Sequence, residues 1–401
     1  MRYWQVLLPL LLCLLVVALL PASVPAVAPT QVQVQWDATA DDILFPLFPQ
    51  FDWLNWYAAE SGYLPSQAFF GPYVIVPVGD VLYVGLGSAR PAEMDGALLA
   101  QVDETVTAVS PLTEQGIHEM IWVTDTLHIA GSDPCCPDDW SAGNHYTYTP
   151  PGPLLKHRDA QNGLAHVLHT WGLWMDAGNV LYAAVSAEVT PLQYGRLMRS
   201  FDEGVTWELV SNVSNYRVYD VFRFDEMLYV LANDAHLMPL YLLRSPNDGS
   251  SWEVALAEPL QRIRIVNFAG QLLVVSFARD ALYALSGDDV TRYDLPAETH
   301  IGVSYADEPQ YSDYNLLAVY GDWLYAIWEV GGGDRPLYYV VRTQDLLHWE
   351  GVAVTERPLI AITYWPQRET IVVGSSGTAA NLWRPLRLDD KLYLPLIGKS
   401  S

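Results

Sequence analysis

Lysine is nearly missing from this chain of 401 residues, occurring only at Lys156, Lys391 and Lys399. Lys and Arg together number 21 against 46 Asp and Glu, a formal net charge of −25 at pH 7. So acidic a chain is repelled by phosphate backbones and anionic membrane surfaces, which excludes nucleic acid as a partner. Cations and neutral or cationic ligands are easier to accommodate, and the excess carboxylates also serve plain solubility. Cysteine is as scarce: Cys13, Cys135 and Cys136 cannot build a framework of several disulfides. Charged residues of all kinds make up only 17 %. In their place stand 15 Trp and 24 Tyr within an aromatic fraction of 12 %, side chains that suit half-buried pleated surfaces. The apolar content supports a large core without cross-links.

One apolar run is long, and it lies at the start. Arg2 supplies a positive charge, Val6 to Leu20 is apolar except for Pro9, and Ala26-Val27-Ala28 offers an A-x-A cleavage site. This pattern predicts a signal peptide over residues 1–28. Cleavage after Ala26 is the alternative, because Pro29 disfavours the later bond. The run is short for a spanning helix. No stable membrane insertion is expected beyond this segment, and the expected location is secreted or extracytoplasmic. Cys13 lies inside the run with no small residue before it, which argues against a lipid-attachment site.

The remainder is organised by a recurring hairpin. An alternating strand meets a short polar turn and a second strand follows, often with Leu-Tyr. The second strands pass through Tyr83, His128, Tyr182, Tyr229, Leu273, Tyr325 and Val372. The mean step is about 48 residues, within the range of propeller blades. Turns such as Gly79-Asp80, Gly178-Asn179 and Gly321-Asp322 carry hairpin chemistry. Two shorter strands follow most hairpins, as at Tyr241–Leu243 and Trp252–Val254. The expected fold is therefore all-β, a single β-propeller of seven four-stranded blades, with six as the alternative because the fifth repeat is compressed. Residues 29–70 are expected to pack on the ring as an N-terminal extension, and 71–401 to form the propeller. Gln31 to Trp36 alternates strictly and is expected to add an outer strand that closes the ring. Leu392 to Leu396 is expected to be the outer strand of the last blade.

Ser200-Phe201-Asp202-Glu203-Gly204-Val205-Thr206-Trp207 fits S-x-D-x-G-x-T-W at every defined position. In the second copy, Ser245, Asn247, Gly249, Ser251 and Trp252 fill the same places, with Asn for Asp and Ser for Thr. Thr343 to Trp349 is a shortened relative. The chain resembles the Asp-box (BNR-repeat) propellers, a sialidase-like scaffold. The Asp or Asn side chain would hold the turn between strands three and four through backbone N–H groups, and Gly would supply a positive φ. That role is structural. The resemblance implies no sialidase chemistry, because the F/Y-R-I-P motif that carries the first arginine of the sialidase triad is missing. Arg90-Pro91 and Arg335-Pro336 lack the Ile, and Arg262-Ile263-Arg264 lacks the Pro.

Propeller geometry puts the loops between strands two and three on the same face as the blade-to-blade junctions, opposite the Asp-box turns. Loops on a rigid scaffold carry function. The most unusual of them holds Asp133, Cys135, Cys136, Asp138, Asp139 and Trp140, followed by His145; the next junction holds His157, Arg158, His166, His169 and Trp171. Arg90 belongs to the same face. Three readings stand: Ca²⁺ held by the three carboxylates, acid–base chemistry with His166, or loop capping with aromatics packed beneath. No cofactor is expected, Ca²⁺ being the one candidate. Cys135 and Cys136 are expected to form a vicinal disulfide, with free thiols or a link to another chain as alternatives. The function expected is a non-catalytic secreted propeller binding a carbohydrate or protein ligand on this face. The alternative is a glycoside hydrolase of sialidase-like fold with a divergent active site.

Overall fold

Each of the seven hairpins opens a four-stranded antiparallel sheet, and the sheets are the blades of a seven-bladed propeller. The computed structural model describes residues 29–35, 44–62, 70–88, 96–112, 116–132, 145–157, 162–164, 166–189, 192–235, 238–303, 315–331, 336–377 and 380–385. Blade 1 shows the pattern: Phe70–Val78, Val81–Ser88, Ala97–Val102 and Val106–Leu112 pair in sequence order. Blades 2, 3 and 4 begin at Gly116, Val167 and Arg217 and repeat it. Blade 5 is the compressed one, opening with only Val266–Phe268, yet it keeps all four strands. The six-bladed alternative therefore falls. In blade 6 the inner position is shared by Thr299–Ile301 and Leu317–Tyr320, both antiparallel to Trp323–Val330.

Alternation puts one face of every sheet against the next blade. Tyr83 and Leu99 of blade 1 meet Ile117, Met120 and Ile129 of blade 2. Tyr182 and Leu197 of blade 3 meet Val218 and Val221 of blade 4. These apolar seams are the core, and each large side chain buried in one stabilises the ring by roughly 1.5–3 kcal/mol relative to exposure.

The ring closes differently from the sequence expectation. The outer strand of blade 7 is Leu44–Pro46, which we label β3, paired antiparallel with Asn381–Pro385. Leu392 to Leu396, expected in that place, lies outside the described residues. Pro29–Gln31 (β1) instead runs parallel to the outer strand of blade 5, and Gln33–Gln35 (β2) runs parallel to that of blade 6. The alternating segment thus clips two blade edges and the next segment closes the ring. Between β3 and blade 1 stands one helix, α1 (Trp53–Ser61). Asp52 caps its start by accepting the Asn55 N–H at 3.1 Å, and Gly62, at φ 73°, ends it. Trp53 and Tyr57 of α1 are buried against blades 1 and 7, and the Trp53 indole donates to Asn381 Oδ1 at 2.9 Å.

The three Asp-box-like segments are turns between strands three and four. Asp202 Oδ1 accepts the Thr206 N–H at 2.8 Å and Ser200 Oγ accepts the Gly204 N–H at 2.8 Å. Asn247 and Ser245 repeat both bonds to Ser251 and Gly249, at 2.9 and 2.8 Å. In the shortened copy Asp345 accepts from Leu347 and His348. Those two N–H bonds and His348 hold the Asp345 carboxyl down at about 2, against the upward push of partial burial.

Candidate functional site

The face opposite those turns is reached from the first residues of each inner strand and from the blade junctions. In blade 3 the inner strand bulges between Val167 and His169 and again between Thr170 and Gly172. The bulges re-aim His169 and Trp171. Gly172 lets the blades close up, since a Cβ there would stand 2.8 Å from the Tyr219 carbonyl oxygen. Trp171 is buried, and its indole donates to Ser186 Oγ at 2.8 Å. His169 stacks on it with centroids 4.6 Å apart, and Tyr219 of blade 4 tilts against it at 5.2 Å.

Two guanidinium groups cover these rings. Arg262, from the junction between blades 4 and 5, lies 4.6 Å over Trp171 and 5.6 Å over Tyr219. Arg217, which opens blade 4, lies 5.3 Å over Trp171 and 4.6 Å over Tyr216. The 4–5 junction is pinned by Asp220, whose Oδ2 accepts the Ile265 N–H at 2.7 Å and whose Oδ1 accepts the Val221 N–H at 2.8 Å. Arg264 reaches the inner strand of blade 2 and pairs with the fully buried Glu119 at 2.9 Å. Beside Arg264 is a cavity of about 350 Å³ lined by inner-strand residues, among them Met120, Phe222, Asn267, Leu317, Tyr320 and Tyr364. Elsewhere on the ring Arg199, Arg223, Arg244, Arg292 and Arg342 pair with nearby carboxylates. Arg217, Arg262 and Arg264 lie around the mouth of the channel, Arg264 paired with Glu119. An arginine fork above an aromatic face offers directed N–H donors beside an apolar plane, a combination suited to carboxylates, hydroxyl arrays and sugar rings.

The residues singled out in the sequence are distributed unevenly. Asp133, Asp138, Asp139, Trp140, Arg158, Arg90, Cys135 and Cys136 lie outside the described residues. His145 and His157 are brought together, facing each other across strands three and four of blade 2. His166 is exposed in a turn at φ 65°, just before the strand that carries His169. Arg217 and Tyr219 went unnoticed in the sequence, and Arg262 and Arg264 were weighed only against the sialidase motif. The available signal is the position of all four at the entry to a blade.

His145 belongs to a second cluster, on the face that blade 2 turns toward blade 3. His128 Nδ1 and His145 Nε2 are 3.3 Å apart, and the rings of His145 and His157 stack with centroids at 5.3 Å. His157 Nε2 bonds Thr147 Oγ1 at 2.7 Å. Trp207 of blade 3 stands edge-on to His145 at 5.4 Å. Burial lowers all three imidazoles: His128 to about 4 with help from the charge of His157, His145 well below the ordinary value, and His157 less so because Asp202 opposes the shift. Among the described residues no group of three His, Cys, Asp or Glu side chains has the arrangement to hold a metal ion.

No family model and no curated protein matches the sequence. Solved structures do match. The extracellular domain of a one-component system from B. thetaiotaomicron superposes with a TM-score of 0.54 at 9 % identity, covering 92 % of this chain and 43 % of its own. A puromycin hydrolase gives 0.50 at 12 %, covering 78 % and 51 %. An ulvan lyase of a polysaccharide lyase family gives 0.51 at 10 %, covering 82 % and 99 %. The chain thus spans about half of the hydrolase and less than half of the one-component system's extracellular domain. At these identities the likeness establishes the propeller fold alone.

Proposed function

We propose that the chain is a secreted Asp-box propeller that binds a carbohydrate or protein ligand on its loop face without transforming it. The observation that carries this reading is the layer of Trp171, Tyr219, Arg217 and Arg262 at the mouth of the channel. Rigid inner strands position it, and the two nearby buried carboxylates are already engaged, Glu119 by Arg264 and Asp220 by backbone N–H groups. The loop carrying Asp133, Asp138, Asp139 and Trp140, with Arg158, His166 and Arg90, would complete the binding surface. The Asp-box assignment rests on the repeated turn bonding of Ser200/Asp202 and Ser245/Asn247, and secretion rests on the leader pattern. The buried Glu119 beside the channel favours the second reading, a glycoside hydrolase with a divergent active site.

Binding to an array of immobilised glycans and extracellular matrix proteins tests the proposal. Arg262→Ala and the double change Asp138→Ala/Asp139→Ala are each expected to weaken the wild-type hit about tenfold or more, the cost of losing a central contact. Equal binding by all three proteins would place the site elsewhere.

A further inference from the structure

One residue near the start of strand two, the third in six repeats and the second in blade 3, faces the following blade in every repeat. It is Tyr83, Tyr182, Tyr229, Leu273, Tyr325 or Val372 in six blades, all buried, and His128 in blade 2. The strand-three residue on the same face, paired two positions further along strand two, is Leu99, Leu197, Leu242, Leu282, Val340 or Leu382 in those six blades. In blade 2 it is His145, opposite Ala130. Two imidazoles therefore sit where the fold otherwise requires apolar side chains. Both are fully buried, His128 Nε2 finds no hydrogen-bond partner, and His145 Nδ1 has only the Gly204 backbone beside it. A core does not keep such groups for stability, since an unsatisfied buried nitrogen is costly.

The surroundings explain what protonation would do. Blade 2 contributes His128, His145 and His157, each within reach of the next. Blade 3 contributes Trp207, whose indole donates to the Gly204 carbonyl at 3.0 Å, and Gly204 itself lies against the His145 ring. Among the described residues the carboxylate that acts on the stack is Asp202, through His157. The Asp202 carboxyl is only partly buried and is held below its ordinary range by the Thr206 and Ser200 donors. One carboxylate at the rim cannot neutralise two or three buried imidazolium ions, and like charges at these separations repel strongly.

The same seam holds the junction that leads to Trp171. Asn162 Nδ2 donates to the His157 carbonyl at 3.1 Å, the Trp207 N–H donates to the Asn162 carbonyl at 2.7 Å, and the Leu164 N–H donates to Asn162 Oδ1 at 2.9 Å.

We propose that the seam between blades 2 and 3 is an acid-sensitive joint: proton uptake by the His128–His145–His157 stack parts these two blades and frees the junction 162–171, while the aliphatic and aromatic seams stay closed. The direction follows from the burial of the rings. An opened seam exposes imidazoles that protonate near 6.5, whereas closed His128 protonates only near 4. The closed state is therefore fully favoured above about pH 6.5 and is lost progressively as the pH falls toward 4. From pH 7.5 to 5, His128 alone shifts the opening equilibrium by roughly 30-fold.

Amide hydrogen exchange of the mature protein at pH 7.5 and 5.0, corrected for the intrinsic rate, tests the joint. The expected result is at least a tenfold loss of protection at pH 5.0 in residues 126–132, 145–157 and 200–208, with little change in the corresponding strands of blades 4 and 6. In His128→Leu/His145→Leu, which puts into both seats an apolar residue found there in other blades, that local loss should vanish. Protection that changes equally in all blades, or is equally lost in the double variant, overturns the proposal. Should the double variant not fold, the wild-type comparison of blade 2 with blade 4 decides alone.

Discussion

Gly163→Ala is expected to lower stability by about 2–4 kcal/mol, the sum of a left-handed backbone and a clash with main chain. Gly163 lies at φ 89°, a conformation an L side chain resists. A Cβ there would also run into the Trp207 carbonyl, and that residue cannot retreat. Its N–H is bonded to the Asn162 carbonyl at 2.7 Å and its ring is packed between blades. Gly79→Ala is the control. Gly79 shares the left-handed backbone at φ 58°, but nothing stands within 4 Å of its added methyl, so only the conformational cost of about 1 kcal/mol applies. Urea midpoints at pH 7.5 measure both. Equal losses in the two variants would show that the close approach of the 2–3 junction to Trp207 contributes nothing.

Trp349→Ala is expected to cost about 3–5 kcal/mol, the range for truncating a buried large aromatic. Trp349 is 2 % exposed, lies 4.7 Å from the fully buried Trp328, and donates its indole N–H to the Leu346 carbonyl at 3.0 Å. Trp252 closes the motif in blade 4 but is half-buried, and its N–H crosses to Ser211 Oγ of blade 3 at 2.9 Å. Trp252→Ala should accordingly cost less than half as much. Thermal and urea unfolding of the two variants side by side would decide, and a larger loss for Trp252 would reverse the ranking that burial imposes.

Those two tryptophans show where reading the sequence stops. They occupy the same motif position, and only packing separates them. The blades themselves were legible because turn chemistry and alternation recur at one period and the seams reuse one set of positions. Ring closure was not, because Leu44–Pro46 is three residues long and its partner Asn381–Pro385 comes from the far end of the chain. The loop 133–140 drew notice through its carboxylates, but the Trp171–Arg262–Arg217 layer is assembled from separate blade entries, each ordinary alone. His128 was visible as the one polar residue in its repeat column, yet only pairing with the His145 column shows two imidazoles in apolar seats.

The central claim is that the loop face binds without turnover. Product release from a panel of aryl glycosides, sialosides and anionic polysaccharides, with the purified mature chain and with or without Ca²⁺, tests it most directly. The account predicts retention of a glycan or protein ligand and no release of product under either condition. Turnover that Asp138→Ala or Glu119→Gln abolishes would contradict it and make the channel mouth an active site.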